Sequence, residues 1–211
     1  MTADVHRTSA TVDGRVVQAF VDGVAETCGH FEQRARRLLA DNGIEDPEVN
    51  ASYAFGDYLG AVRAVRQTTG PNTANRIGRA VAAQLPWSRD VDTIEAAFDD
   101  LDHAYKHAHA GDSAGSFRFE ANEDGGVLVS DTPYPAVFEQ GLIEGIGKQF
   151  GTDTGFIAVH DAGRYLTDGG DVREFDLTWW ETRAEPTTIS PPRDAVDRSG
   201  SESAKRTVYR D

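Results

Sequence analysis

The stretch Ser116-Phe117-Arg118-Phe119-Glu120-Ala121, then Asn122-Glu123-Asp124-Gly125-Gly126, then Val127-Leu128-Val129-Ser130 decides the fold class. Phe117 and Phe119 alternate with charged residues, the period of two that marks a half-buried strand. The Asn/Asp/Gly segment is turn chemistry, so the second apolar run reads as the returning arm of a β-hairpin. Upstream the apolar spacing is helical instead. Val16, Val17, Phe20, Val24, Phe31 and Leu38 predict one helix from about Thr11 to Asp41, stopped by Asn42-Gly43, with Gly29 a possible break. A second helix is expected over 51–69. A third is expected to start from an Asn72 cap and carry Ile77, Val81 and Leu85 until Pro86. Asp92 and Glu95 have capping-box spacing for a fourth, with Ile94, Phe98, Leu101 and Tyr105 on one stripe and an end near Gly111.

Downstream of the hairpin, Pro133 and Pro135 precede a helix over 136–150, and strands are expected over 156–160 and 174–180 across a Gly169-Gly170 turn. Helices first and strands later, without βαβ alternation, predict an α+β protein. Its N-terminal helical half, about 10–111, precedes a mainly antiparallel sheet half, about 115–182. That sheet has about four strands, with a helix between strands two and three. The expected organisation is one domain over 1–183 and a disordered tail over 184–211, where prolines, serines and charges replace apolar anchors.

Thirty-five acidic residues against 21 basic ones give a net charge of −14, and Lys106, Lys148 and Lys205 are the only lysines. Such a surface repels phosphates, so no nucleic-acid partner is expected. An acidic, lysine-poor chain also suits multimolar salt, where self-repulsion is screened, and a halophilic setting is the favoured reading. No apolar run is long enough to span a membrane, the first ten residues lack a signal-peptide core, and Cys28 is the single cysteine, so a cytoplasmic location is expected.

Three histidines cluster in Asp102-His103-Ala104-Tyr105-Lys106-His107-Ala108-His109. His103 and His107 share a helix face as paired ligands do, but that face points away from the apolar stripe and reads as solvated. His109 falls beside Phe98 at the inner C-terminal end, where it can line a pocket or cap the last carbonyls. His160, beside Asp161, has the neighbours of a general base but no recognisable nucleophile, and reads as a structural strand-end residue. Gly141, Gly145 and Gly147 allow close approach by a backbone, a flat ligand or the sheet. No phosphate loop, dinucleotide fingerprint or zinc-protease motif occurs. No catalytic residue is assigned, and an enzyme is the weaker expectation.

Asp131-Thr132-Pro133-Tyr134-Pro135-Ala136-Val137-Phe138, then Gly141-Leu142-Ile143-Glu144-Gly145 and Phe150, resembles the segment before the last strands of 4-vinyl-reductase-type domains. His160-Asp161, Gly169-Gly170-Asp171 and Phe175-Asp176-Leu177-Thr178-Trp179 continue the pattern. The helical half fits more loosely through Gly70-Pro71-Asn72 and Ala104-Tyr105. That family is related in fold to heme nitric-oxide-binding domains. The resemblance implies a stand-alone small-molecule sensor with an apolar pocket between helices and sheet. Family members often carry cysteines near the pocket; here those positions hold Ala136, Tyr165 and Arg173. No metal site and no cofactor are therefore expected, and heme is not expected because no histidine matches a proximal-ligand motif. The expected ligand is small and apolar or flat, met by Phe98, Tyr105, His109, Arg173 and Trp179, with a protein partner or a homodimer carrying the signal. The alternatives are a small enzyme of reductase or tetrapyrrole-modifying type, and an interaction protein without a pocket.

Overall fold

The computed structural model describes residues 10–26, 32–151, 154–167 and 170–181. The helical half holds β1 (Thr11–Asp13), α1 (Gly14–Ala25), α2 (Glu32–Ala40), β2 (Ser52–Ala54), α3 (Phe55–Thr69), α4 (Pro71–Ala82), α5 (Ile94–Ala108) and the two-residue β3 (His109–Ala110). The sheet half holds β4 (Phe117–Asn122), β5 (Gly125–Ser130), α6 (Ala136–Phe150), β6 (Thr154–Thr167) and β7 (Gly170–Glu181). The four long strands form one antiparallel sheet in the order β4-β5-β7-β6, with α6 connecting its second and third strands in sequence. This is the α+β class and element order expected from the change in period.

The long first helix is not continuous. Thr11–Asp13 is a strand paired antiparallel to β2, and the Asp13 carboxylate caps α1 by accepting from the Arg15 N–H at 2.8 Å. Gly29 lies outside the described residues. β1 also pairs with β3, giving a three-stranded sheet β2-β1-β3 inside the helical half that periodicity did not reveal. Strands of two and three residues are too short to show alternation.

Two expected caps move. Gly70, not Asn72, is the N-cap of α4, and Pro71 takes the first helical position, as suits a residue with no N–H to leave unpaired. Thr93, not Asp92, caps α5, its hydroxyl accepting from Ala96 N–H at 3.2 Å. The sheet strands extend well past their expected ends, β6 reaching Thr167, so His160 sits mid-strand and exposed rather than at a strand end. The expected tail, 184–211, lies outside the described residues.

The core runs continuously through both halves, from Val16, Phe20 and Leu39 through Ile77, Phe98 and Tyr105 to Leu128, Phe138, Ile146 and Phe175. The α6 glycines serve the packing of α6 on α4. A Cβ on Gly141 would meet the Asn75 carbonyl oxygen at 1.9 Å, and one on Gly145 would meet the Arg79 backbone at 2.9 Å. Gly147 instead faces Ile157 of β6.

Candidate functional site around His109

α5 presents Ile94, Ala97, Phe98, Leu101, Ala104, Tyr105 and Ala108 to the interior. It stops because His109 turns extended, with φ −133° and ψ 110°, to pair with Val12 of β1. His109 is therefore the C-cap of α5 and the first residue of β3, and its ring is swung into the core at 2% exposure.

The imidazole there is fully engaged. Nδ1 lies 3.0 Å from the Tyr105 carbonyl oxygen and Nε2 lies 2.8 Å from the Tyr134 hydroxyl. A carbonyl can only accept, so Nδ1 carries the proton and Nε2 takes the Tyr134 O–H with its lone pair. Burial pushes the His109 pKa down to about 4; the Tyr105 carbonyl and the Asp13 charge oppose this only in part. The ring is a neutral imidazole at physiological pH. Tyr105 stacks on it with centroids 4.1 Å apart, and Phe55 meets it edge-on at 5.1 Å. Burial also raises the pKa of both Tyr105 and Tyr134, which stay neutral hydrogen-bond donors. Tyr105 donates to the Ala114 carbonyl at 2.6 Å. A cavity of about 350 Å³, lined by His109, Lys106, Gly111, Gly115, Ser116 and Asp131, opens from the surface onto this end of α5.

Tyr134 belongs to the connection between β5 and α6. Its ring lies flat on Phe138, 4.1 Å away at 8°. One residue further, Glu139 is 1% exposed. Its Oε1 accepts from the Ser130 and Thr132 hydroxyls, and its Oε2 accepts from Arg173 Nη1 at 3.0 Å. Arg173 stands opposite Ser130 on the neighbouring strand, so this buried cluster fastens α6 to β5 and β7.

The five residues singled out in the sequence are thus divided. Tyr105 and His109 are together. Phe98 and Trp179 form a separate stack, 5.9 Å apart at 14°, joined by Phe119 and lying three turns away along α5. Arg173 is held by Glu139. Tyr134, Phe55, Phe138 and Glu139 were not anticipated. The Pro133-Tyr134-Pro135 frame and a carboxylate amid the apolar residues of α6 were the available signals. His160 lies apart from this cluster, and the adjacent Asp161 carboxylate accepts from Gly163 N–H at 2.9 Å.

No family model and no curated protein matches the chain. Solved structures do match. One described as an oxygen-binding H-NOX domain related to soluble guanylate cyclases aligns with a TM-score of 0.60 at 16% identity, over 79% of this chain and 94% of that one. An H-NOX protein from S. oneidensis in the Fe(II)NO ligation state aligns at 0.59 and 16%, over 80% and 99%. A structure from work on heme distortion in the H-NOX family aligns at 0.60 and 14%, over 90% and 100%. The chain therefore has the H-NOX fold, and the expected relation in fold to heme nitric-oxide-binding domains is found. The same comparison overturns the expectation against heme, because matching solved structures are described as heme proteins. The absence of a ligand motif does not exclude a buried histidine, and His109 is one that no motif marks. Among the described residues, no helix is long and apolar enough to cross a membrane.

Proposed function

We propose that this chain is a small-molecule sensor domain whose ligand is recognised at His109, and that heme is the leading ligand. The observation that carries this reading is the state of His109: buried, neutral, anchored through Nδ1–H, with the Nε2 lone pair facing the interior of an H-NOX-like fold. A carbonyl on one ring nitrogen fixes the tautomer and leaves the other as a ligand atom, the arrangement metal-binding histidines use. The donor chemistry therefore fits an iron ligand. His109 would hold the iron, and the rings of Phe55, Tyr105 and Tyr134 would meet the macrocycle. Bound heme supplies an iron site for a diatomic gas. Tyr134 now satisfies Nε2, so its hydroxyl must leave before any ligand atom takes that place. The cavity beside Lys106 and Gly115 gives a route to the ring from solvent.

The likeness to 4-vinyl-reductase-type domains supports the same location, because one of the segments that carry it, 131–138, holds Tyr134 and Phe138. The net charge of −14 supports a salt-adapted working environment. Titration of the purified chain with hemin tests the reading. One equivalent should bind with a saturable Soret shift, and His109→Ala should abolish the imidazole-ligated spectrum. A wild-type chain that shows no saturable shift overturns the heme assignment.

A further inference from the structure

The outer face of α5 carries a second constellation. Glu95, Asp99, His103 and His107 follow one another every four residues, and all four are exposed. Residues at that spacing are surface neighbours. The His103 and His107 rings approach to 4.3 Å between centroids at 65°. Such a pair can direct one nitrogen each at a common ion, and imidazoles prefer borderline divalent transition metals.

Interaction with the helix dipole is the competing account of two histidines near a C-terminus. Lys106 already places a cation in that turn, paired with Asp102 at 2.6 Å. The carboxylates of Asp99 and Glu95 and the overall negative charge favour a cation on this face.

We propose that His103 and His107 form a two-imidazole site for a divalent cation of the zinc, nickel or copper kind on the outer face of α5. Among the described residues, no three or more His, Cys, Asp or Glu side chains converge to hold a metal. Water must therefore complete the coordination, which makes this an exchangeable site rather than a closed structural one. Its occupant cross-links the last two turns of α5, the turns that lead into Tyr105 and His109 on the opposite face. The site is independent of the heme reading, since His109 faces inward and takes no part in it.

Calorimetric titration of the full chain with zinc chloride alone, in chelator-free buffer without hemin, tests this. The expected result is one ion per chain with a dissociation constant in the micromolar range, and a higher melting temperature with zinc, as binding to the folded state requires. His103→Ala and His107→Ala should each weaken binding by about tenfold or more, because each removes one of two ligating imidazoles. His160→Ala, an exposed histidine on β6, should bind as the wild type does. Binding that survives His103→Ala, one ion per two chains, or no zinc-dependent heat in the wild type would each overturn the proposal. Circular dichroism of the variants confirms that lost binding is not lost fold.

Discussion

Acidification should unfold the ligand-free protein partly through His109. In the unfolded chain this ring titrates near the ordinary value of about 6.5. In the folded protein burial holds it down to about 4. At neutral pH it is neutral in both states and has no effect on the balance. As pH falls through about 6.5 the unfolded chain takes up a proton that the folded one refuses, so stability is lost progressively, and the loss levels off below about pH 4. The two values imply a cost of about 2 kcal/mol at pH 5, approaching roughly 3 kcal/mol at the acid limit. Groups around the ring modulate this without reversing it: the Asp13 carboxylate on β1 favours the proton, while Tyr105 and Tyr134 stay neutral. Urea unfolding followed by circular dichroism, at about pH 7 and about pH 5, should be compared between the wild type and His109→Gln. The carboxylates and exposed histidines titrate in both proteins, so their effect cancels in the difference. The wild type should lose about 2 kcal/mol more than the variant. Equal losses would refute a buried neutral His109.

Gly141→Val drives a side chain into the Asn75 carbonyl, which a Cβ alone would meet at 1.9 Å; it should cost at least about 1–3 kcal/mol by overpacking, measured as a fall in urea midpoint. Arg173→Leu removes the guanidinium that donates to the buried Glu139 carboxylate; a loss near the low end of roughly 3–5 kcal/mol is expected, because Arg173 itself keeps some solvent contact. A neutral effect would show that the Arg173–Glu139 pair adds nothing to the stability of the fold. The charge of −14 should make the fold salt-dependent, with melting temperature rising between about 0.1 M and about 2 M KCl as repulsion is screened; a flat response would count against salt adaptation.

The fold was legible where repeats were long enough to show their period. α6 spans Ala136–Phe150, as its flanking prolines and apolar spacing imply, and the hairpin of β4 and β5 follows from alternation and its Asn/Asp/Gly turn. What escaped was set by distant partners. Thr11–Asp13 reads as the start of a helix, because Val12 fits the apolar stripe as well as it fits a strand. Only pairing with Ser52–Ala54 and His109–Ala110, some forty and one hundred positions away, makes it a strand. The same distant pairing ends α5. Local capping signals near Gly111 suggested a later stop, but Val12 takes His109 out of the helix.

That pairing also governs how much of the site the sequence could show. Helical arithmetic placed His109 on the inner side of α5 beside Phe98. The extended backbone at His109 instead carries the ring to Phe55 and Tyr134, residues supplied by α3 and by the turn before α6. Phe98 was grouped with it because both lie on the inner side of one helix, but eleven residues of α-helix separate them by about 16 Å. A stripe defines a face and says nothing of depth along it. Glu139 was hidden for a different reason. On a helical wheel a glutamate between Phe138 and Leu142 looks like the edge of a solvated face. It is buried because Ser130, Thr132 and Arg173 converge on it from two strands of the sheet. Each of those three residues is unremarkable in its own segment, and only the register Ser130↔Arg173 brings them to one carboxylate. A buried polar group needs partners for all its hydrogen-bonding capacity, so such a cluster becomes visible only when the strand pairing is known.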